Sequence, residues 1–205
     1  HGHQVIVRHF NTCMERVERL LSVEKKRVGV LISGSGSNLQ ALIDATRNST
    51  MGMCSEIVFV ISNKAGVFGL ERAEKAGIAS AVISNKDFPT REDFDNALHE
   101  ELMKHRIDIV CCAGFMRILT PGFVSKWRGK LLNIHPSLLP KHKGISAQKD
   151  AIEAGDTESG CTVHFVDENV DTGALIVQEI VPIFPADTID SLSARIHKVE
   201  HIAFP

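Results

Sequence analysis

Short apolar runs alternate with longer amphipathic stretches along most of this chain of 205 residues. The runs at 28–33, 57–62 and 107–113 are apolar almost throughout, which is typical of strands buried on both faces. Shorter runs at 81–83 and 130–135 predict two further strands. Between the strands, apolar residues recur with the helical period, which predicts helices at 39–47, 66–76, 91–105 and 121–127. This alternation predicts an α/β fold, a mostly parallel doubly wound sheet with helices on both faces.

The pattern changes after Gly155. Two strand-like runs at 161–166 and 174–182 follow each other across a polar loop, which predicts a late antiparallel extension of the sheet. A final helix is expected from about Asp190, with Asp187 or Thr188 as its N-cap. Ligands of such sheets bind beyond the carboxyl ends of the strands, so the loops at 34–38, 114–117 and 133–144 are the expected places for a site.

Charge and cysteine usage exclude several classes of protein. The formal net charge of −2 offers no electrostatic attraction to nucleic acid or to a membrane surface, and no run of about 18 apolar residues predicts a membrane span. The five cysteines, at 13, 54, 111, 112 and 161, lack Cys-x-x-Cys spacing, so we interpret them as reduced core thiols of a cytoplasmic protein. No Cys, His or Asp cluster has zinc spacing, and no metal is expected.

The N-terminal residues differ in character from the rest of the chain. Residues 1–26 mix His and Arg with apolar residues, include a predicted amphipathic helix at 14–21, and lead into the charged run Glu-Lys-Lys-Arg at 24–27. We interpret 1–26 as an extension or linker, the tail of an upstream domain, and 27–205 as one domain. With 43% hydrophobic residues in the chain, that domain can bury a sizeable core.

The sequence Asn-Ile-His-Pro-Ser-Leu-Leu-Pro at 133–140 carries the strongest indication of chemistry. Asn133 and His135 are two residues apart, so both side chains project from one face of an extended segment. Acyl transfer requires a donor for a developing oxyanion and a group that manages protons, which an amide and an imidazole can supply. An isolated Asn-x-His is more often a turn with a hydrogen-bonded histidine, so the interpretation depends on the other loops.

The sequence Ser-Gly-Ser-Gly-Ser-Asn at 33–38 joins the first predicted strand to the first predicted helix. Its glycines let the backbone approach an anion closely, and the helix N-terminus supplies unpaired N–H groups, so a monophosphate is the expected ligand. The segment lacks the Lys of a Walker loop, and Leu39 replaces the third glycine of a dinucleotide fingerprint. The alternative is a tight turn that uses glycine for its conformational freedom.

An acidic loop at 167–173 separates the two late strands. A carboxylate from this loop could fold over the end of the sheet, orient the His135 ring and favour its charged form. Taken alone, such a loop is more often a solvated turn. His164, on the strand before it, is expected to be a hydrogen-bonded core histidine or a support for neighbouring site residues, and not a ligand.

Together these segments resemble the phosphoribosylglycinamide formyltransferase family over about residues 27–205. The matching motifs are Leu-Ile-Ser-Gly-Ser-Gly-Ser-Asn-Leu-Gln at 31–40, Ile-Ser-Asn-Lys at 61–64, Ala-Gly-Phe-Met-Arg-Ile-Leu at 113–119, Leu-Asn-Ile-His-Pro-Ser-Leu-Leu-Pro at 132–140, Thr-Val-His-Phe-Val at 162–166, Val-Asp-Thr-Gly at 170–173 and Glu-His at 200–201. The Asn-x-His motif and the later Asp resemble folate-dependent formyl transferases and deformylases in general. The glycine loop and the final Glu-His resemble the glycinamide ribonucleotide branch.

The resemblance implies a Rossmann-like formyltransferase fold and transfer of a formyl group from 10-formyltetrahydrofolate to glycinamide ribonucleotide, in purine biosynthesis. The catalytic residues that it implies are Asn133, His135 and Asp171. The nucleotide-binding residues that it implies are Ser35, Gly36, Ser37, Asn38 and Glu200. The folate-binding residues that it implies are Arg91, Met116, Arg117, Ile118, Leu119 and Val166.

The resemblance also implies that this chain is part of a multifunctional polypeptide with other purine-pathway domains. Two departures from the family stand out. Gln148 occupies a position where many members have a second histidine, and it cannot carry charge. The family continues beyond the position of Pro205 with the rest of a helix and a strand, so 27–205 is expected to be a domain truncated at its C-terminus.

Three other functions fit part of the pattern. A 10-formyltetrahydrofolate deformylase would share the trio but would need neither the glycine loop nor Glu200. A methionyl-tRNA formyltransferase would carry a basic RNA-binding domain, which the net charge of −2 does not favour. An inactive ligand-binding remnant would follow if the truncation abolished activity. Formyl-folate turnover measured with and without the nucleotide separates these functions.

Overall fold

The computed structural model describes residues 24–48 and 54–205. The strands in this part of the chain are β1 Lys26–Ile32, β2 Ser55–Ser62, β3 Ala79–Val82, β4 Ile109–Cys112, β5 Leu131–His135, β6 Glu158–Phe165 and β7 Leu175–Pro182. Its α-helices are α1 Ser37–Arg47, α2 Phe68–Lys75, α3 Arg91–Lys104, α4 Pro121–Lys126, α5 Ala147–Glu153 and α6 Ile189–Ala203. The helix predicted at 14–21 lies outside the described residues.

The strands form one seven-stranded sheet in the order β3-β2-β1-β4-β5-β6-β7. The first five strands of this order pair in parallel, β6 is antiparallel to β5, and β7 is antiparallel to β6. This arrangement confirms the predicted mostly parallel sheet with a late antiparallel extension. Because β1, β4 and β5 are neighbours and run the same way, the loops after their carboxyl ends lie at one edge of the sheet.

Two apolar clusters cover the two faces of the sheet, as a doubly wound fold requires. One cluster packs one face of the strands against α1 and α6, through residues such as Leu39, Leu192 and Ile196. The other joins the opposite strand face to α3 and α4, through residues such as Leu98 and Trp127. Consecutive residues of β1 enter different clusters, so both of its faces are buried.

Side-chain caps define where three of the helices begin. The Thr90, Thr120 and Thr188 hydroxyls each accept a hydrogen bond from a backbone N–H in the first turn of α3, α4 and α6. Thr188, one of the two residues predicted to cap the last helix, forms a reciprocal capping box with Ser191. Its neighbour Asp187 instead pairs with Arg195.

Several boundaries and one α-helix differ from the sequence-based expectation. The first strand begins at Lys26, within the charged run, because its polar end pairs with β2 and the Arg27 N–H donates to Asp108 at 2.9 Å. The antiparallel extension begins at Glu158, three residues before the predicted start. The short helix α5 was not predicted, since it has only seven residues and buries only Ala147 and Ala151.

The interpretation of all five cysteines as core thiols is wrong for Cys54, which is exposed just before β2. Cys111, Cys112 and Cys161 are buried, and burial raises the pKa of Cys111 and Cys161 to about 12, so these thiols stay protonated. Cys13 lies outside the described residues. None of the helices in the described ranges is long and apolar enough to cross a bilayer.

A glycine substitution tests the pairing of β6 with β7. A Cβ on Gly160 would lie 1.9 Å from the Glu179 carbonyl oxygen, so Gly160→Ala should force the two strands apart. We expect a loss of roughly 1–3 kcal/mol in the free energy of unfolding, measured by urea titration. Gly122→Ala, where a Cβ meets only the Thr120 hydroxyl at 3.9 Å, is the control and should change stability little. Equal losses in the two variants would contradict the close strand contact.

Candidate active site

Asn133 and His135 stand on one face of β5, at its carboxyl end. Ile134 between them packs into the cluster below α1 and α6, so the two polar side chains project toward the opposite face. This confirms the same-face prediction made from their spacing. In the antiparallel pairing with β6, Asn133 lies opposite His164 and His135 lies opposite Thr162.

The His135 imidazole is only 5% exposed and has a partner at each ring nitrogen. Its Nδ1 lies 3.3 Å from Asp171 Oδ2, and its Nε2 lies 2.9 Å from the His142 carbonyl oxygen. Both partners are hydrogen-bond acceptors. The ring can therefore donate to both only when it carries a proton on each nitrogen, as an imidazolium.

Asp171 reaches this histidine from the acidic loop after β6, with φ at 52° and an 11% exposed side chain. Its Oδ2 accepts a hydrogen bond from the Gly144 N–H at 2.9 Å, and its Oδ1 lies 3.6 Å from His164 Nε2. Burial alone would raise the pKa of the Asp171 carboxyl, but His164, the Gly144 N–H and the charge of His135 together lower it. Asp171 is therefore a carboxylate at neutral pH.

His164 connects the two ends of this group. It is 1% exposed, its Nδ1 lies 2.9 Å from the Phe165 carbonyl oxygen, and its Nε2 lies 3.2 Å from Asn133 Nδ2. In the neutral ring, Nδ1–H donates to that carbonyl and Nε2 accepts from the Asn133 amide. The amide is thereby oriented, and its second N–H stays available. The neutral His164 ring thus supports Asn133, in agreement with the role expected of it, whereas a charged ring would also donate to Asp171.

The loop before α1 has the features expected of an anion-binding turn. Gly36 has φ at +69°, which favours glycine, and no side chain caps the N-terminus of α1. The first turn carries no acidic residue. Ser35 is exposed and Ser37 half-buried, so both hydroxyls lie beside a helix N-terminus with its partial positive charge.

Asn38 and Glu200 are 162 residues apart in sequence and form one buried pair. The Asn38 amide donates to Glu200 Oε2 at 2.9 Å, and the two residues are 8% and 4% exposed. The remaining amide oxygen, Asn38 Oδ1, is buried and has no hydrogen-bond partner among the described residues. A buried polar atom without a partner is costly, which makes this atom a natural contact for a donor on a ligand.

Arg72 is a residue of this region that the sequence-based reasoning missed. From α2 its guanidinium donates to the Ser35 carbonyl oxygen at 2.9 Å and to Gln40 at 3.2 Å. It therefore places a positive charge beside the glycine loop. Nothing in its spacing signals this role, because the contact depends on the close packing of Gly36 against Gly69 on α2.

The residues predicted to bind folate form a second group, and most of them lie in the loop between β4 and α4. The Arg91 guanidinium donates to the Ile118 carbonyl oxygen at 2.7 Å, and the buried Ser33 hydroxyl accepts from the Met116 N–H at 2.8 Å. The side chains of Met116 and Ile118 are 67% and 65% exposed.

The remaining predicted folate residues divide in the same way. Arg117 is exposed, whereas Leu119 and Val166 pack against the cluster below α3 and α4. These two half-buried side chains lie at the base of the second group. Gln148, which replaces the expected histidine, lies in the first turn of α5. Among residues 24–48 and 54–205, no group of three or more His, Cys, Asp or Glu side chains could hold a metal ion.

The buried carboxylate, imidazole and amide at the carboxyl end of β5 are the kinds of group that an acyl transfer requires, and they lie on a Rossmann-like sheet. Residues 26–205 match the formyl transferase family, and the chain belongs to it.

Three comparisons show which members it is similar to. It is 80% identical over 205 residues to the trifunctional purine biosynthetic protein adenosine-3 of Chironomus tentans, covering all of this chain and 15% of that protein. It is 49% identical over 176 residues to the phosphoribosylglycinamide formyltransferase of Escherichia coli K12, covering 86% of this chain and 82% of that one. The crystal structure of glycinamide ribonucleotide transformylase 1 from Symbiobacterium toebii matches with a TM-score of 0.86 and 43% identity, over 89% of this chain and 85% of that one.

The lowered pKa of Asp171 gives a prediction about acid pH. A depressed pKa in the folded state contributes stability above the ordinary carboxyl value of 3.8, and this contribution is lost as pH falls through the folded value. The difference in unfolding free energy between the wild type and Asp171→Asn should therefore stay constant from about pH 7 to about pH 5 and shrink at lower pH. Urea titrations across this range measure it. A difference that stays constant or grows at acid pH would count against the charged pairing.

Proposed function

We propose that this chain transfers the formyl group of 10-formyltetrahydrofolate to the amine of glycinamide ribonucleotide. The observation that carries the proposal is the buried contact of Asp171 with His135 beside an oriented Asn133 amide. That group suits an acyl transfer, and two differently built binding regions flank it. The family membership and the names of the similar proteins support the same reaction.

The nucleotide is expected at the α1 side of the site. Its phosphate would accept hydrogen bonds from the N–H groups and hydroxyls of Ser35, Gly36 and Ser37, with the Arg72 charge nearby. Asn38 Oδ1 has no partner in residues 24–48 and 54–205, and the Glu200 carboxylate can accept more than the one bond it receives there from Asn38. Both oxygens would take donors such as the ribose hydroxyls.

The folate is expected at the β4–α4 side. Met116 and Ile118 offer an exposed apolar surface, and Leu119 and Val166 form a half-buried base that suits a flat heterocycle. Arg91, held by the Ile118 carbonyl, and Arg117 add positive charge that complements carboxylates of the folate tail. These residues fit the co-substrate in both its apolar and its anionic parts.

The reaction needs a stabilised oxyanion, an imidazolium held in place and a proton transfer to the leaving group. The neutral amine attacks the formyl carbon, and the carbonyl oxygen becomes an oxyanion that the free Asn133 N–H and the positive charge of the protonated His135 can stabilise. Asp171 keeps a charge next to the imidazolium and fixes its orientation. The carbon–nitrogen bond to the folate then breaks, and the proton lost by the amine is delivered to the leaving folate nitrogen. Atoms and charges balance in this scheme without a metal ion.

We infer that residues 27–205 act as one domain of a longer polypeptide with other purine-pathway domains, and that 1–26 lead in from an upstream domain. The chain spans 15% of the length of the trifunctional relatives, which supports the proposal. The protonated, buried Cys111, Cys112 and Cys161 thiols are compatible with the reducing cytoplasm, where we place the enzyme.

An assay of formyl-folate turnover with and without glycinamide ribonucleotide tests the proposal directly. Turnover that depends on the nucleotide is the expected result. Turnover without the nucleotide would identify a hydrolase, and no turnover under either condition would overturn an enzymatic role for this chain.

Substitutions of the central pair should slow the chemical step. His135→Ala and Asp171→Asn should each lower kcat by about 10²–10³-fold with little change in either KM, because both act on charge that develops in the transition state. The double variant should lose far less than the product of the two factors, since Asp171 acts through His135. Steady-state kinetics measures this, and independent, multiplicative losses would contradict the coupling.

A charge placed in the glycine loop should act on the nucleotide alone. Ser35 is exposed, so Ser35→Asp should leave the fold intact and repel a phosphate, raising the nucleotide Kd by roughly tenfold or more. Ser35→Asn has nearly the same shape without the charge and should cost much less. Calorimetric titration with each substrate gives both constants. Weakened folate binding of similar size would show that the loop does not read the phosphate.

A further inference from the structure

The loop between β5 and α5 contacts both members of the central pair through its backbone. The His142 carbonyl oxygen accepts from His135 Nε2 at 2.9 Å, and the Gly144 N–H donates to Asp171 Oδ2 at 2.9 Å. A shift of this short segment, residues 141–144, would therefore move the partners of the imidazole and the carboxylate together. What holds the segment in place consequently bears on the chemistry.

The segment has an unusual backbone for its sequence. His142 has φ at 51°, in the left-handed region that residues with a side chain rarely adopt, so neighbouring contacts must stabilise it. The contact that its own side chain makes is with Asp156, whose Oδ2 lies 2.8 Å from His142 Nε2. Both side chains are about four-fifths buried, at 18% and 20% exposure.

Asp156 is a firm anchor for this contact. It lies three residues after the end of α5, and its own N–H donates to the Ala151 carbonyl oxygen at 3.1 Å, so its backbone is tied to the end of that helix. Lys141 Nζ lies 3.3 Å from both carboxylate oxygens, but this side chain is 63% exposed, which weakens the pairing. The His142 imidazole is the main cause of the lowered pKa of the Asp156 carboxyl.

We propose that Asp156 is a positioning residue for the formyl transfer: it holds the His142 side chain, and thereby the His142 carbonyl, against His135 Nε2. The proposal rests on the proposed function, since it concerns the rate of that reaction. Asp156 does not touch the trio itself. It acts through one side chain and one carbonyl, and neither contact contributes to the two apolar clusters.

Two matched substitutions on this chain test the proposal. Asp156→Asn keeps the shape and removes the charge, and should lower kcat about tenfold with either KM changed less than about twofold, because misplacing a catalytic partner slows the chemical step. Glu153→Gln is the control. It removes a carboxylate that lies three residues before Asp156, is 64% exposed and forms an ion pair with Lys149. It should leave kcat unchanged.

The effect of Asp156→Asn in a His135→Ala background distinguishes a positioning role of Asp156 from a general loss of protein stability. In a His135→Ala background the His142 carbonyl has lost its donor, so adding Asp156→Asn should cause no further loss of activity. His142→Phe, which keeps a ring and removes Nε2, should reproduce the loss of Asp156→Asn, and the two together should cost no more than one. An unchanged kcat in Asp156→Asn, or the same loss in the His135→Ala background, would overturn the proposal.

A measurement without turnover keeps this test apart from the test of the proposed function. The Nε2–H proton of His135 can be followed by ¹H–¹⁵N NMR, where a hydrogen-bonded, protected proton gives a sharp signal. We expect that signal in the wild type and in Glu153→Gln, and its loss by exchange broadening in Asp156→Asn. If the wild type shows no turnover, the proposed function fails, yet an unaltered signal in Asp156→Asn would still overturn the positioning role.

Discussion

Backbone pairing between β5 and β6 runs antiparallel and sets Asn133 opposite His164 and His135 opposite Thr162. The arrangement of the candidate site depends on this register. Because side chains alternate along a strand, a slip by one residue would turn both polar side chains of β5 into the apolar cluster on the other face. The same pairing brings the loop after β6 back across the sheet, so that Asp171 meets both histidines. The parallel half of the sheet supplies the loops, and the antiparallel half completes the site.

Burying a carboxylate and an imidazole is expensive unless each polar atom has a partner. Here the partners come largely from backbone groups: the Gly144 N–H serves Asp171, and the His142 and Phe165 carbonyls serve His135 and His164. Such partners cannot rotate away, so they hold the side chains in one arrangement before substrate arrives. Preorganisation of this kind is what a reaction with developing charge requires.

Much of the fold could be predicted from the sequence because most of its strands are apolar runs and most of its helices are amphipathic stretches between them. The groups of the candidate site could also be predicted where neighbouring residues supply them, as in Asn133 with His135 and the glycine loop. Helix α5 was missed because it buries only two alanines, and Cys54 was misassigned because its position before β2 leaves it exposed. Arg72 and Asp156 were missed because each acts on a residue that is distant in sequence or reached through a second side chain.

The sequence by itself determined the class of fold, the direction of the strands and the chemical groups available at their ends, since these follow from periodicity and from local backbone preferences. Only the tertiary structure decided which of those groups meet. The Asp171 carboxylate, one of several acids in its loop, is the one 3.3 Å from His135, and Asn38 finds Glu200 across 162 residues. Contacts of this kind depend on how elements pack and on how far a loop folds back, and no local pattern encodes either.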